Sequence, residues 1–186
     1  MLVLPVHSSK YYVFIKDNHY YCSSDSLFSQ EPQVGNGELG GKRFAVKASD
    51  ELRAGYEAFR AFDESKTTYF HSGNVKLNAD GTKNPHQWLI FYNPSPLKVK
   101  SLTIYNQGVD KYCTKQYKIL GSNDNSDYTL LVEGEFPQPN LESNRIEVND
   151  SQGWKYYKIE CLSTTGNPNY WTMSNCQIET WSGNAW

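Results

Sequence analysis

Few side chains in this chain are spaced to break bonds. Cys22 or Cys113 could meet His19, His71 or His86 as a thiol nucleophile and its base. No local signature surrounds either cysteine, so such a pair would depend wholly on the fold. The 20 acidic residues gather mainly in polar turns such as Asp124–Asp127, where water keeps a carboxyl group's proton affinity ordinary. The glycine cluster Gly35–Gly41 lacks the Lys-Ser/Thr and the following helix that a phosphate cradle needs. Cys22, Cys113, Cys161 and Cys176 stand far apart with no C-x-x-C pair, whereas structural zinc asks for paired ligands at short spacing. Cys161 and Cys176 lie in apolar runs that could be neighbouring strands, which leaves two readings, a disulfide or buried free thiols. The chain reads as non-catalytic.

The elements that must position its remaining side chains are strands. Of the 186 residues 15% are aromatic, with 14 Tyr and 5 Trp and only 2 Met, a bias that suits the half-buried surface of a pleated sheet. Tyr11–Ser23 holds two aromatic runs around Asp17-Asn18 and reads as a tight hairpin, which must lean on the main body or on another chain. Residues 29–43, with Pro32, Gly35, Gly37, Gly40 and Gly41, read as a linker. Residues 49–61 are the one stretch with helical character, interrupted by Gly55. Strands are expected at His86–Tyr92 (stopped by Asn93-Pro94-Ser95-Pro96), Val99–Tyr105, Gln116–Leu120, Tyr128–Val132, Arg145–Val148, Trp154–Leu162 and Cys176–Trp181. Short strands between turn clusters argue for an antiparallel sandwich or barrel.

The formal net charge of −2 and scattered Lys and Arg offer no basic stripe for nucleic acid. No apolar run approaches the roughly 18 residues of a membrane span. Met1–His7 turns polar too soon for a secretory signal, so the expectation is another route out of the cell, or a signal already removed.

Three segments, taken in order, resemble the discoidin or coagulation-factor type C group of the galactose-binding-like superfamily. Ala61-Phe62-Asp63-Glu64-Ser65-Lys66-Thr67-Thr68-Tyr69-Phe70-His71 is similar to that family's Ala-Phe-Asp loop. Gln87-Trp88-Leu89 through Ile119-Leu120-Gly121-Ser122-Asn123-Asp124 resembles its central strands, and Tyr156-Tyr157-Lys158-Ile159 through Ile178-Glu179 its closing strands. The resemblance spans about residues 45–181. It implies an all-β, antiparallel jelly-roll β-sandwich over 41–186, preceded by a small hairpin extension and linker over 1–40, with a ligand bound by loops at one end.

The resemblance also implies a structural calcium under the Ala-Phe-Asp loop. Its ligands would be the Arg60 carbonyl, Asp63, Ser65, Thr68, the Cys176 carbonyl and Gln177; the alternative is that Asp63 braces the loop by itself. Gln177 stands where relatives usually offer Glu, and Glu64 where they have Gly. Sugar-binding relatives often carry an Arg after the strand that ends at Tyr105; here Asn106-Gln107 follows. The candidate ligand-binding residues are then His71, Asn106, Gln107, Tyr112, Tyr170 and Trp171, with rings to stack on a sugar and amides to bond its hydroxyls. The expected partners are a glycan or cell-surface ligand and, through the hairpin or Trp186, neighbouring subunits of a phage virion or tail appendage. The expected location is therefore the virion or the extracellular space. A purely structural part of a particle, with no glycan ligand, is the alternative.

Overall fold

The computed structural model describes residues 3–5, 12–16, 19–23, 43–62, 67–73, 87–108, 112–166 and 169–181. In chain order the elements are β1 (Val3–Pro5), β2 (Tyr12–Lys16), β3 (His19–Ser23), β4 (Arg43–Ala48), a 3-10 turn (Ala58–Phe62), β5 (Phe70–His71), β6 (Gln87–Leu97) and β7 (Val99–Tyr105). They continue as β8 (Thr114–Ser122), β9 (Thr129–Glu135), β10 (Ser143–Glu147), β11 (Trp154–Thr164), β12 (Thr172–Met173) and β13 (Asn175–Thr180). An eight-stranded sheet in the order β1-β2-β3-β4-β6-β11-β8-β9 forms one layer, β10-β7-β13 the other, and β12-β5 a small ribbon.

Side-chain alternation explains the layering. On β11, Tyr157, Ile159 and Cys161 turn inward, as do Leu89 and Phe91 on β6 and Tyr117 and Ile119 on β8. Opposite them, Leu102 and Ile104 of β7, Ile146 of β10 and Ile178 of β13 close a single core. Leu102 and Ile104 share one face, as the period of two requires. Phe91 stacks on Tyr157 with ring centroids 5.1 Å apart. The Tyr157 hydroxyl is 2.6 Å from both Asp150 Oδ2 and the Leu97 carbonyl, either of which takes its one proton, and it accepts the Val99 N–H from the other sheet. Burial and the Asp150 carboxylate push this phenol's pKa upward, so it stays protonated and joins the layers.

The two-layer antiparallel sandwich is the expected fold, and β7 has the expected bounds. The N-terminal extension pairs as a hairpin, Lys16 opposite His19. It leans on the body through a parallel pairing of β3 with β4, a strand that the linker reading of 29–43 did not foresee. Two further expectations are corrected. Residues 49–61 form no α-helix: the chain makes a 3-10 turn over Ala58–Phe62, after an irregular loop in which Gly55 has φ +99°. β6 does not stop at Tyr92 but runs through both prolines to Leu97. Its pairing with β11 jumps from Tyr92↔Tyr156 to Leu97↔Trp154, a bulge that absorbs the prolines' missing N–H groups. Cys161 and Cys176 are buried free thiols on different sheets, and burial raises the Cys176 pKa to about 12. Trp186 and the turn residues Asp17-Asn18 lie outside the described residues. Trp181 is half exposed, with its Nε1 donating to the Asp150 carbonyl at 2.8 Å and Lys100 over its ring.

On the outer face of the small sheet Glu179 receives Lys100 at 2.8 Å, Arg145 at 2.6 Å and the Ser101 hydroxyl at 2.9 Å. These donors lower its pKa from 4.5 to about 2. A depressed carboxyl pKa adds stability above the unfolded-state value and loses it as pH falls through the folded one. Glu179→Gln is therefore expected to flatten the fall in melting temperature between about pH 4.5 and pH 2 relative to wild type, as read by circular dichroism.

Candidate functional site

Five rings meet where four chain segments converge. His71 on β5 has its ring centroid 5.7 Å from Tyr56, 6.3 Å from Tyr69, 5.7 Å from Tyr112 and 5.3 Å from Tyr170. Tyr56 meets Tyr69 edge-on at 5.0 Å, and Tyr112 meets Tyr170 edge-on at 5.5 Å. All five are neither fully buried nor fully exposed, so the group forms a wall with partly wetted faces.

Backbone bonds hold the four segments in register. The Leu52 N–H donates to the His71 carbonyl at 2.9 Å and the His71 N–H to the Tyr56 carbonyl at 3.2 Å, which fastens the 50–57 loop along β5. Thr172 pairs with His71 across the ribbon, and its N–H donates to the Tyr112 carbonyl at 3.1 Å. Gln87 Nε2 donates to the Gly73 carbonyl at 3.0 Å. A Cβ on Gly73 would meet the Asp50 carboxylate, so its bareness leaves room for Asp50 and the 50–57 loop.

His71 has a fixed proton arrangement. Its Nδ1 lies 2.7 Å from the Ser72 carbonyl, and a carbonyl can only accept, so Nδ1 carries the proton in the neutral ring and Nε2 presents a lone pair. Among the described residues no group bonds to Nε2, nor to the hydroxyls of Tyr112 and Tyr170. Hydrogen bonds from Tyr69 and then Arg53 lower the Tyr56 phenol's pKa, and the same Tyr56 partnership raises that of Tyr69. The Arg53 guanidinium sits 5.5 Å from the Tyr56 ring centroid. The wall thus offers ring faces, a lone pair and free phenols, which suits a ligand with both apolar patches and hydroxyls.

Of the six expected ligand residues, the structure brings His71, Tyr112 and Tyr170 together. Trp171 is corrected: it is 0% exposed, packs edge-on against Phe70 at 5.5 Å and donates Nε1 to Thr114 Oγ1 at 2.8 Å. A stacking platform must show a face to solvent, and this ring shows none. Asn106 is corrected as well: it is buried, and its Nδ2 donates to the carbonyls of Pro139 at 2.8 Å and Leu141 at 2.7 Å. It braces a loop instead of offering an amide. Gln107 is exposed, and none of the cluster's bonds or ring contacts reaches it. The sequence reading missed Tyr56 and Tyr69. Tyr69 was within reach of inspection, two residues before His71 and so on the same side of an extended chain; Tyr56 arrives only by loop closure.

The described part of the calcium set fits poorly. Asp63 and Ser65 lie outside the described residues. Arg60 belongs to the 3-10 turn, Thr68 is half-buried in the segment before β5, and Cys176 lies within β13. Gln177 turns to the outer face of β13, where its Oε1 accepts the Tyr105 hydroxyl at 2.9 Å. One of the six oxygens is thereby directed elsewhere, and it is the one that replaces a carboxylate.

The F5/8 type C domain model matches residues 45–176. The chain belongs to the F5/8 type C domain family. Solved structures of the same fold include the family 32 carbohydrate-binding module of Clostridium perfringens NanJ, in complex with galactose, at 20% identity and TM-score 0.58, covering 73% of this chain and 92% of that one. The C. perfringens module CpGH89CBM32-5, in complex with GalNAc-β-1,3-galactose, aligns at 14% identity and TM-score 0.59, covering 73% and 94%. The chitosan-binding module 1 of a Paenibacillus sp. IK-5 chitosanase/glucanase aligns at 22% identity and TM-score 0.54, covering 72% and 91%. Comparison with curated proteins finds no match. β1, β2 and β3 of this F5/8 type C chain precede the matched region, yet they extend its sheet.

Two outcomes follow for this F5/8 type C domain. Trp171→Phe is expected to cost about 1–3 kcal/mol in urea unfolding, from a partial void and an unpaired Thr114 hydroxyl, whereas Gln107→Ala stays within about 0.5 kcal/mol. Melts in calcium and in chelator are expected to coincide, because a ion held only by the folded form would raise the midpoint.

Proposed function

We propose that this F5/8 type C domain is a non-catalytic carbohydrate-binding module whose sugar site is the wall around His71. The single observation that carries the reading is the convergence of His71 with Tyr56, Tyr69, Tyr112 and Tyr170 at one end of the sandwich, with Nε2 of His71 unbonded among the described residues. A pyranose has an apolar face of C–H groups and a rim of hydroxyls. The face would lie on a tyrosine ring, and a hydroxyl would donate to the Nε2 lone pair. Support also comes from the structural neighbours bound to galactose and to GalNAc-β-1,3-galactose. Galactose-terminated glycans are the first ligands to try.

The setting we favour is extracellular, with the module attached to a larger assembly such as a phage tail appendage. This is supported by β1–β3, which lie before the matched region 45–176 and add to the sheet edge at β4, a placement suited to an attachment device.

A glycan array followed by titration calorimetry tests the site. Wild type is expected to bind galactose-terminated oligosaccharides. His71→Ala and Tyr112→Ala are each expected to weaken that binding about tenfold or more, while their melting temperatures stay within a few degrees of wild type. No glycan above background with folded wild-type protein would defeat the proposal.

A further inference from the structure

We infer that Arg53 makes this site select sugars that carry a carboxylate, a reading that rests on the His71 site and names the ligand class it prefers. Arg53 opens a tight turn closed by the Tyr56 N–H donating to the Arg53 carbonyl at 3.1 Å. Leu52, just before that turn, and Tyr56, its last residue, are the two whose backbones bond to the carbonyl and N–H of His71. The guanidinium is therefore carried on a loop fastened to His71 on both sides, and it is placed over the Tyr56 ring at 5.5 Å. The Arg53 side chain is exposed, and among the described residues no carboxylate pairs with it.

The acids of the same loop are turned elsewhere. Glu57 takes the Gly55 N–H at 2.8 Å and Arg60 at 3.2 Å. Glu51 takes the Ala58 N–H at 2.8 Å. Asp50 takes the Glu51 N–H at 2.9 Å and faces Gly73. Among the described residues the charge presented at the ring wall is positive, and guanidinium is the cation whose paired N–H groups match both oxygens of a carboxylate. A cationic sugar such as chitosan would meet like charge there.

The test measures affinity for galacturonic acid trimer and for the neutral β-1,4-galactotriose, at about 20 and 300 mM salt, by calorimetry. 3′-Sialyllactose against lactose is a second pair, which tells a terminal sialic acid from a uronic acid as the source of the carboxylate. In at least one pair, wild type is expected to prefer the acid about fivefold at low salt, the scale of an exposed ion pair, with the preference shrinking at high salt as the charges are screened. Arg53→Gln is expected to bring the acid-to-neutral ratio to about one. Arg145→Gln, on β10 of the three-stranded sheet, should leave the ratio as in wild type. If folded wild type binds neutral and acidic sugars equally, or Arg53→Gln keeps the preference, the inference fails while the glycan site stands. If it binds neither kind of sugar, the site itself is wrong and the inference falls with it.

Discussion

The aromatic wall around His71 depends on one buried residue. Trp171 gives its backbone N–H to Ser72 Oγ at 2.8 Å, takes the Ser72 N–H on its carbonyl at 2.9 Å, and spends Nε1 on Thr114 Oγ1 at 2.8 Å. Those three bonds tie the strand that carries His71, the start of β8 beside Tyr112, and the segment that carries Tyr170. A buried polar N–H left without a partner costs about 1–3 kcal/mol, so the three segments are held where they satisfy it. The side chains of the wall come from short, irregular pieces of chain, and what makes them a surface is the Trp171 residue beneath them.

The rest of the sandwich supplies a rigid base for that clamp. Tyr157 spans the layers, with its hydroxyl beside Asp150 and Leu97 and its ring on Phe91. Asp150 is itself buried and also accepts the N–H groups of Gln152 and Gly153. Gly121 is bare because Trp154 lies across it, where a Cβ would come within 2.5 Å of the indole. Strand pairing sets the layers, and a few polar contacts between large rings fix how the layers sit.

Much of this was legible in the sequence. The period of two along Val99–Tyr105 and the turn clusters between apolar runs gave the sandwich, because alternation is a direct imprint of a half-buried sheet. The motif around Ala61–His71 and the closing strands pointed to the right family. What was not legible depended on partners distant in the chain. Trp171 and Tyr170 are adjacent aromatics near a strand end, and nothing local says which faces the core; that is decided by Thr114 and Ser72. Asn106 looked like a free amide because the carbonyls it braces, at Pro139 and Leu141, are more than thirty residues away. β4 was hidden by the glycine-rich stretch before it, since its neighbour β3 runs parallel and needs no tight connection.

The fastening of the 50–57 loop to both sides of the His71 peptide has a thermodynamic consequence. A recognition loop that is ordered before its ligand arrives loses little chain entropy on binding, so a modest number of contacts can suffice for measurable affinity. The same fastening limits how far the wall can adapt to a differently shaped guest. Such a surface gains its selectivity by refusing misfits, and a lineage of these chains would change its preferred guest by exchanging side chains on a fixed frame.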